Sequence, residues 1–556
     1  MSKYDLELWE ERFEEFRTKK LISSEQKTSL MEMLKSKDGE NKVVVMSIVK
    51  VFIKDALAAT LNTQQKKAFE DIIEHFEESK HNAAVLKGYA GTGKTFLVKK
   101  LIEYVMQTEP DSRMAITAPT NKAVKVLYAN SANNITGKSV FLFDDIFEGE
   151  ARIVYATTHK ILALKEIVTD DGKQLFEVDK FSKTSLSSYD YLFVDEVSML
   201  DDKLTSVILS NKKVKVLFIG DPAQIPPVNR KDCIPFRAYS DYSFKYAQLT
   251  EIMRQKEQNP IIEHSFTIRQ NLLKPKPIPV LKTELNDKDE GVQVLNPLTD
   301  KLLLREIMKK YVTSPQFKQN PDYFKVLAWR RASVTYVNNV IREQIYGSNP
   351  PRFVVGERLL AQKPIFERAI FKSKNARDKE YWKVSVNNSE ELTVVDILES
   401  AISIKWGHHV KSFKAYELKV CYEDILSGDT KRTQIKIVHE SEEAAYNKFI
   451  GELKEGAIKA KNSALWVMYF DSLKHSADVG YNYALTVHRS QGSTYEHALV
   501  LEDDLDANHK VEEKNRIKYT AYTRASKKLY VLRTNDLVKE TYHDYRTEDY
   551  TSTGPT

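Results

Sequence analysis

The chain has 556 residues, which at roughly 150 residues per domain predicts three or four domains rather than one. A hydrophobic share of 42% supplies several cores, and Gly 18 with Pro 17 excludes a collagen-like or low-complexity chain. The longest apolar tract, Val43–Ile53, is broken by Lys50, so no run reaches the roughly 18 to 20 residues of a membrane helix.

The opening MSKYDLELWEERFEEF is acidic and has no apolar h-region, which predicts a soluble, cytoplasmic protein without a secretory signal. Two cysteines, Cys233 and Cys421, are too few for a disulfide framework or a cysteine zinc site. With 84 basic and 78 acidic residues the net charge is only +6, so positive potential for a polyanion has to be concentrated in a groove.

Leu6, Trp9, Phe13 and Phe16 recur at helical spacing, and Ser23-x-x-Gln26 has the spacing of a capping box before a second amphipathic helix. A charged turn at 36–42 precedes a third segment. These helices are expected to pack on the main body, with recruitment of a partner the other reading. From about residue 59 short apolar runs alternate with helices: Ala83–Leu86, Ala115–Thr117, Tyr191–Val194 and Val214–Ile219, then Lys325–Ala328, Ala498–Leu501 and Leu529–Leu532. Such runs predict α/β architecture, with parallel sheets covered on both faces. Residues 351–479 differ, with alternating β patterns at Leu392–Ile397, Glu417–Tyr422 and Gln434–Val438 and then a helical stretch at Glu443–Ser472. They are expected to form an insertion.

Gly88-Tyr89-Ala90-Gly91-Thr92-Gly93-Lys94-Thr95 satisfies G-x-x-x-x-G-K-[ST] directly after an apolar strand. Glycines let successive N–H groups and a helix N-terminus converge on phosphates. Lys94 then reaches the β- and γ-phosphates of ATP, and the Thr95 hydroxyl ligates Mg²⁺. Asp195 and Glu196 follow the strand YLFV; Asp195 suits Mg²⁺, and Glu196 suits polarisation of an attacking water. The third element, VLFIGDPAQIPPV, places Gln224 just beyond a strand end, where an amide can both donate and accept.

LNTQQKKAF, GYAGTGKT, APTNKAVKVL, ATTHKIL, DEVSM, GDPAQIPPV, LTEIMRQ, TVHRSQGSTY and YTAYTRASKKLYV stand in the order of the superfamily 1 helicase motifs. Over about residues 59–535 the chain resembles the 5′→3′ branch, superfamily 1B, which holds RecD and the Dda helicases of T-even bacteriophages. The resemblance implies two RecA-like P-loop motor domains, 59–246 and 247–350 with 480–540. It implies a pin hairpin at about 164–178, and an inserted Src-homology-3-like β-barrel with a helical tower at 351–479. Residues 1–58 remain as a helical extension and 541–556 as a flexible tail.

The resemblance also implies that Gln65 reads adenine, with Gln64 beside it as the competing assignment, and that Arg254 and Arg524 reach the γ-phosphate from the second motor domain. An arginine there is worth about 10³–10⁵ in rate in related phosphoryl-transfer enzymes. It implies single-strand contacts at Pro119, Thr120, Asn121 and the adjoining Lys122, at Thr158 and His159, at Arg330, and at His488, Ser490 and Gln491.

Asp171-Gly172 between two apolar-alternating runs is a hairpin-turn signal. The resemblance implies that Phe176 on that hairpin stacks on a base; the other reading is that it packs beneath the hairpin. An aromatic–base stack is worth about 1–3 kcal/mol, against roughly 0.6–2.2 kcal/mol for parting one base-pair step. The resulting expectation is an ATP-dependent 5′→3′ DNA helicase working as a monomer on single-stranded and forked DNA, in replication, recombination or repair, with replication or single-strand-binding proteins as candidate partners. The rivals are an RNA-directed motor and an ATP-switched remodelling protein that does not unwind.

Overall fold

The computed structural model describes residues 10–11, 13–14, 17–18, 22–35, 39–78, 83–109, 111–132, 140–142, 152–178, 186–227, 232–237, 240–251, 259–272, 281–371, 379–406, 409–423 and 429–534, a few of them, Phe176 included, by backbone alone. Arg254 and the 541–556 tail lie outside the described residues.

A seven-stranded sheet runs in the order Val140–Leu142, Ile153–Thr157, Met114–Ala118, Tyr191–Val194, Lys215–Gly220, Ala83–Gly88, Lys245–Leu249, with every neighbouring pair parallel. Its central strands alternate between two cores, as the period of two in a strand requires. Leu86, Ile116, Phe193 and Leu217 enter one core, while Val85, Ala115, Leu192 and Val216 enter the other. Both faces being apolar explains why these strands read as unbroken hydrophobic runs.

The amino-terminal helices cover one of those faces. Leu30, Met31 and Leu34 of Ser24–Lys35, with Val45, Val49 and Ile53 of Gly39–Ala58, share a core with Leu97 and Leu101 of the helix Lys94–Thr108. The capping box forms reciprocally: Ser23 N donates to Gln26 Oε1 at 2.7 Å and Gln26 N to Ser23 Oγ at 3.1 Å. The expectation that these helices pack on the main body is met, although the third helix starts at Gly39, inside the expected turn.

A second sheet runs Glu284–Leu285, Gly291–Leu295, Ala525–Leu532, Tyr495–Leu501, Phe324–Ala328, Ala484–Thr486, parallel except for its first hairpin. It too is apolar on both sides: Leu327, Val500 and Leu529 face one core, and Val326, Leu499 and Tyr530 the other. Each of the two sheets is the centre of its own α/β unit.

Between the strands Phe324–Ala328 and Ala484–Thr486 of the second sheet, residues 358–481 build a five-stranded antiparallel sheet, Thr430–Val438, His409–Glu423, Glu391–Trp406, Arg358–Ala361, Val479–Tyr481. Two strands are far longer than the sequence pattern suggested, pairing from Thr393↔Cys421 out to Trp406↔His409. Their outer halves bury Ile402, Ile404 and Phe413 against Tyr446, Phe449 and Leu453 of the helix Glu443–Ala460, a small core remote from the sheet's root. A hairpin of Ile365–Phe371 and Lys379–Val386, not foreseen, completes the insertion.

Arg342 fastens this insertion to the second sheet. Its guanidinium donates to Glu357 Oε1 at 2.6 Å and to the Pro351 carbonyl at 2.5 Å, while Tyr483 OH donates to the same carboxylate at 3.2 Å. Arg342 is 4% exposed and Glu357 0%, so both charges depend on each other. Arg342→Met is expected to strand the Glu357 carboxylate and to lower stability by about 3–5 kcal/mol, read as a fall in the urea midpoint.

Candidate functional site

The strand Ala83–Gly88 hands the chain to the helix Lys94–Thr108 through a loop in which Gly91 (φ 79°) and Gly93 (φ 80°) are left-handed. A Cβ at Gly88 would stand 2.8 Å from Lys94 Cγ and from Thr92 Oγ1, so this glycine is also needed for close approach. Thr92 Oγ1 donates to the Tyr89 carbonyl at 2.9 Å, closing the loop. Lys94 Nζ lies in its bowl, donating to the carbonyls of Gly88 (2.8 Å) and Tyr89 (3.0 Å). Thr95 occupies the helix's first turn and is half-buried.

Gln65 is 2% exposed beside this loop. Its Nε2 donates to the Thr92 carbonyl at 3.3 Å, and it exchanges bonds with Asn62 in a capping arrangement. Gln64 instead holds the segment leading towards Arg254: its Oε1 accepts from Thr250 N at 2.8 Å and Glu251 N at 2.9 Å.

Asp195 and Glu196 end the strand Tyr191–Val194, next to the P-loop. Asp195 N donates to the Thr117 carbonyl (2.8 Å), and Asp195 Oδ1 accepts from Glu196 N (2.8 Å). Glu196 is left-handed (φ 50°), a conformation costly for a non-glycine residue and concentrated at functional sites. Burial pushes the Asp195 carboxyl up, partly offset by the Glu196 N–H and Lys94. Burial and the neighbouring Asp195 push Glu196 up to about 7, against Arg524 and Lys94. A carboxylate poised there can take a proton near neutral pH.

Gln224 is 4% exposed, and its Oε1 has no hydrogen-bond partner among the described residues. A buried amide oxygen without a protein donor can accept from a water or a ligand. A hydroxyl and a carboxylate, Thr95 and Asp195, are the hard oxygen donors that Mg²⁺ takes, and the residues present fit that ion.

The second sheet supplies the other wall. Arg524 is 5% exposed, with Nε donating to the Thr520 carbonyl (3.0 Å) and Nη1 to the Ser493 carbonyl (2.9 Å). It is close enough to lower the Glu196 pKa. Three interdomain contacts were not foreseen. Arg516 Nη1 donates to the Pro222 carbonyl at 2.6 Å; Tyr519 OH donates to Asp221 Oδ2 at 2.8 Å; and the Arg269 guanidinium lies 3.6 Å from the centre of the Tyr89 ring. Tyr519 and Arg516 stood in or beside a motif already singled out, but only the fold shows which way they face.

A cavity of about 190 Å³ opens where both sheets meet the insertion, and it brings together Thr120, His488, Gln491 and the turn Asn388–Glu391. Pro119 and Asn121 flank Thr120, half-buried, at the start of the helix Asn121–Ala132, whose Ala123 N donates to Thr120 Oγ1 at 3.2 Å. Burial lowers the His488 pKa, and that of His159. Gln491 is 5% exposed and its Nε2 reaches the Ile225 carbonyl at 3.2 Å.

Other expected contacts are turned inward. Thr158 is 0% exposed, its Oγ1 3.5 Å from Thr117 Oγ1, and Ser490 is 0% exposed, donating to the Val487 carbonyl at 2.8 Å. Their side chains close strand ends, so only backbone there could meet a ligand. Arg330 is pinned by Asp504, with Nε donating to Oδ1 at 2.5 Å, yet keeps 45% of its side chain exposed. Lys122 lines the same cavity and also spans three units, at 3.0 Å from Asp322 and 3.2 Å from Glu391.

The hairpin Leu164–Val168/Gln174–Val178 pairs Glu166 with Phe176. The Phe176 side chain lies outside the described residues, but the tip is anchored. Ser463 N donates to Asp170 Oδ1 at 3.0 Å, Trp466 Nε1 donates to the Asp170 carbonyl at 3.2 Å, and both donors belong to the helix Ser463–Leu473 of the insertion. Gly172 is left-handed (φ 79°), and a Cβ on it would stand 2.5 Å from the Trp466 ring, so no other residue fits this turn.

Residues 60–275 match the AAA domain family, and residues 481–532 the UvrD-like helicase C-terminal domain family. The chain is 26% identical to the uncharacterised protein R530 of Acanthamoeba polyphaga mimivirus, over 84% of this chain and 99% of that protein. It is 27% identical to the ATP-dependent DNA helicase dda of Enterobacteria phage T4, over 79% of this chain and 92% of that protein. Among solved structures, a Pif1 helicase from Bacteroides in complex with ADP-AlF3 and single-stranded DNA aligns over 88% of this chain and 98% of its own, with 15% identity and a TM-score of 0.42.

Lys94→Ala is expected to reduce nucleoside triphosphate turnover by roughly 10²-fold or more, as for loss of a donor to developing charge, while the melting temperature stays near that of the parent. Turnover at the parental rate would remove the loop from the chemistry.

Proposed function

We propose that the chain is a superfamily 1B helicase of the Dda, RecD and Pif1 type, an ATP-dependent DNA helicase that moves 5′→3′ along a single strand. The observation that carries this reading is the shared wall of the nucleotide site. Lys94, Asp195, Glu196 and Gln224 come from the first sheet, and Arg524 approaches Glu196 from the second.

In this reading the P-loop N–H groups and Lys94 bind the phosphates, with Gln65 or Gln64 beside the base. Thr95 and Asp195 would hold Mg²⁺, which when bound neutralises charge on the phosphates. Glu196, pushed up to about 7 by burial and Asp195, orients the attacking water and accepts its proton. Gln224 offers its unpartnered Oε1 to the same region. Arg524, and Arg254 by the family pattern, bring positive charge from the second domain, so hydrolysis depends on how the two domains are apposed.

The cavity between Thr120, His488 and Gln491 lies on the proposed path of the single strand, where the two domains alternate their grip. At the fork the hairpin acts as the pin, and Phe176 is its stacking candidate. The bonds from Ser463 and Trp466 to Asp170 fix the tip against the insertion, so that the load of strand separation is shared with it.

Tailed DNA and RNA duplexes with 5′ or 3′ overhangs test the reading. Displacement of the 5′-tailed DNA duplex is expected, and preference for a 3′ tail or for RNA would overturn polarity or substrate. Trp466→Ala is expected to slow unwinding at least about fivefold while single-strand-stimulated ATP turnover changes less than about twofold, which corresponds to losing roughly 1 kcal/mol of anchoring. Equal losses in both would assign Trp466 to general stability.

A further inference from the structure

We propose that Tyr519 is a positioning residue that makes the placement of Arg524 depend on the state of the P-loop. The inference rests on the helicase reading above and adds a residue to it. Tyr519 is 1% exposed, on the helix Val511–Tyr522 of the second sheet's domain, yet its hydroxyl lies inside the nucleotide site of the first. It accepts from Ala90 N of the P-loop at 3.3 Å and donates to Asp221 Oδ2 at 2.8 Å. A phenol has one proton. With that proton given to Asp221, the contact with Ala90 can only be accepted.

Asp221 also accepts from Ala223 N at 2.9 Å, which ties the tyrosine to the segment carrying Gln224. Three residues earlier on the same helix, Arg516 donates to the Pro222 carbonyl (2.6 Å) and the Gln224 carbonyl (3.3 Å). The helix therefore rests on the P-loop and on the Gln224 segment together. Its carboxyl end sets Arg524: the Tyr519 carbonyl accepts from Thr523 N at 3.1 Å, and the Thr520 carbonyl accepts from Arg524 Nε at 3.0 Å. A displacement of Tyr519 is thus transmitted within one helical turn to the atoms that hold the guanidinium.

The bond from Ala90 N is the point at which nucleotide intervenes. P-loop N–H groups serve phosphate, and a charged oxygen is roughly twice as strong an acceptor as a neutral hydroxyl. A nucleotide therefore competes with Tyr519 for the loop. Each state of the loop then favours its own seat for the helix, which is the differential contact that coupling between two sites requires.

The test measures coupling rather than rate. The affinity for an oligothymidine is measured with and without a non-hydrolysable ATP analogue, in the unmutated chain and in Tyr519→Phe, which keeps the ring and removes the hydroxyl. In the unmutated chain the analogue is expected to change strand affinity by about fivefold or more, within the usual range of allosteric coupling. In Tyr519→Phe that ratio is expected to collapse to less than about twofold, while the oligothymidine alone binds within about threefold of the parent and the analogue alone at least as tightly as the parent, its competitor for Ala90 N being gone.

An unchanged ratio overturns the proposal, as does loss of either single affinity by more than about tenfold, which would mark a structural defect. Should Tyr519→Phe not fold, hydrogen exchange in the 511–522 helix of the unmutated chain decides: it has to change on adding the analogue, and constancy overturns the inference. If the unmutated chain binds neither probe, the helicase reading fails and not this one.

Discussion

Two adjacent carboxylates, Asp195 and Glu196, are placed by one strand end in a site where protein has displaced most of the water. Burial raises both, and Asp195 raises the cost of ionising Glu196 further. Like charges at contact distance cost several kcal/mol at protein-like dielectric. Lys94 from the first domain and Arg524 from the second oppose that cost. Part of the compensating charge therefore arrives across a domain boundary. The arrangement of the two sheets and the chemistry of the strand end are one electrostatic problem.

A second ionic junction extends this coupling to the insertion. Lys122 of the first domain lies 3.0 Å from Asp322 of the second and 3.2 Å from Glu391 of the insertion, with Lys125 paired to Glu390 beside it. Burial opposes ionisation of Glu391, but Lys325 and Lys122 outweigh it and hold the carboxyl down to about 2. Such buried pairs add little net stability, since desolvation cancels much of their attraction, but breaking one leaves an uncompensated charge. Their effect is to define how the three units sit around the cavity that contains Thr120, His488 and Gln491.

The hairpin and the insertion show the same economy in apolar form. An isolated two-stranded ribbon is marginal in water, and the hairpin Leu164–Val168/Gln174–Val178 gains its rigidity from outside. Trp466 is 5% exposed, with its ring against Gly172 and its N–H on the Asp170 carbonyl. The Asp170 carboxylate meets the N-terminus of the helix Ser463–Leu473, where a negative charge is favoured. A segment some 290 residues away in the chain is thus what holds the turn in place.

Much of this was legible in the residues because it is local. A strand buried on both faces reads as an apolar run whatever it pairs with, and a glycine needed for left-handed backbone or close approach leaves few substitutes. The parallel strands, the P-loop, the Asp195–Glu196 strand end, the Ser23 capping box and the Asp171-Gly172 turn were therefore readable in advance. The 16-residue strand Glu391–Trp406 and its partner His409–Glu423 were seen only in part, because their outer halves depend on a separate helical core for burial. Which hydroxyls of the motifs face a groove, and which close a strand end as Thr158 and Ser490 do, depended on neighbours distant in sequence. So did the reach of Tyr519 into the P-loop, the pairing of Lys122 with Glu391 and the anchoring of Asp170 by Trp466. Backbone conformation and strand burial are imposed by each residue and its near neighbours. The direction of a buried polar side chain is settled only when the partner that offsets its desolvation has been brought alongside.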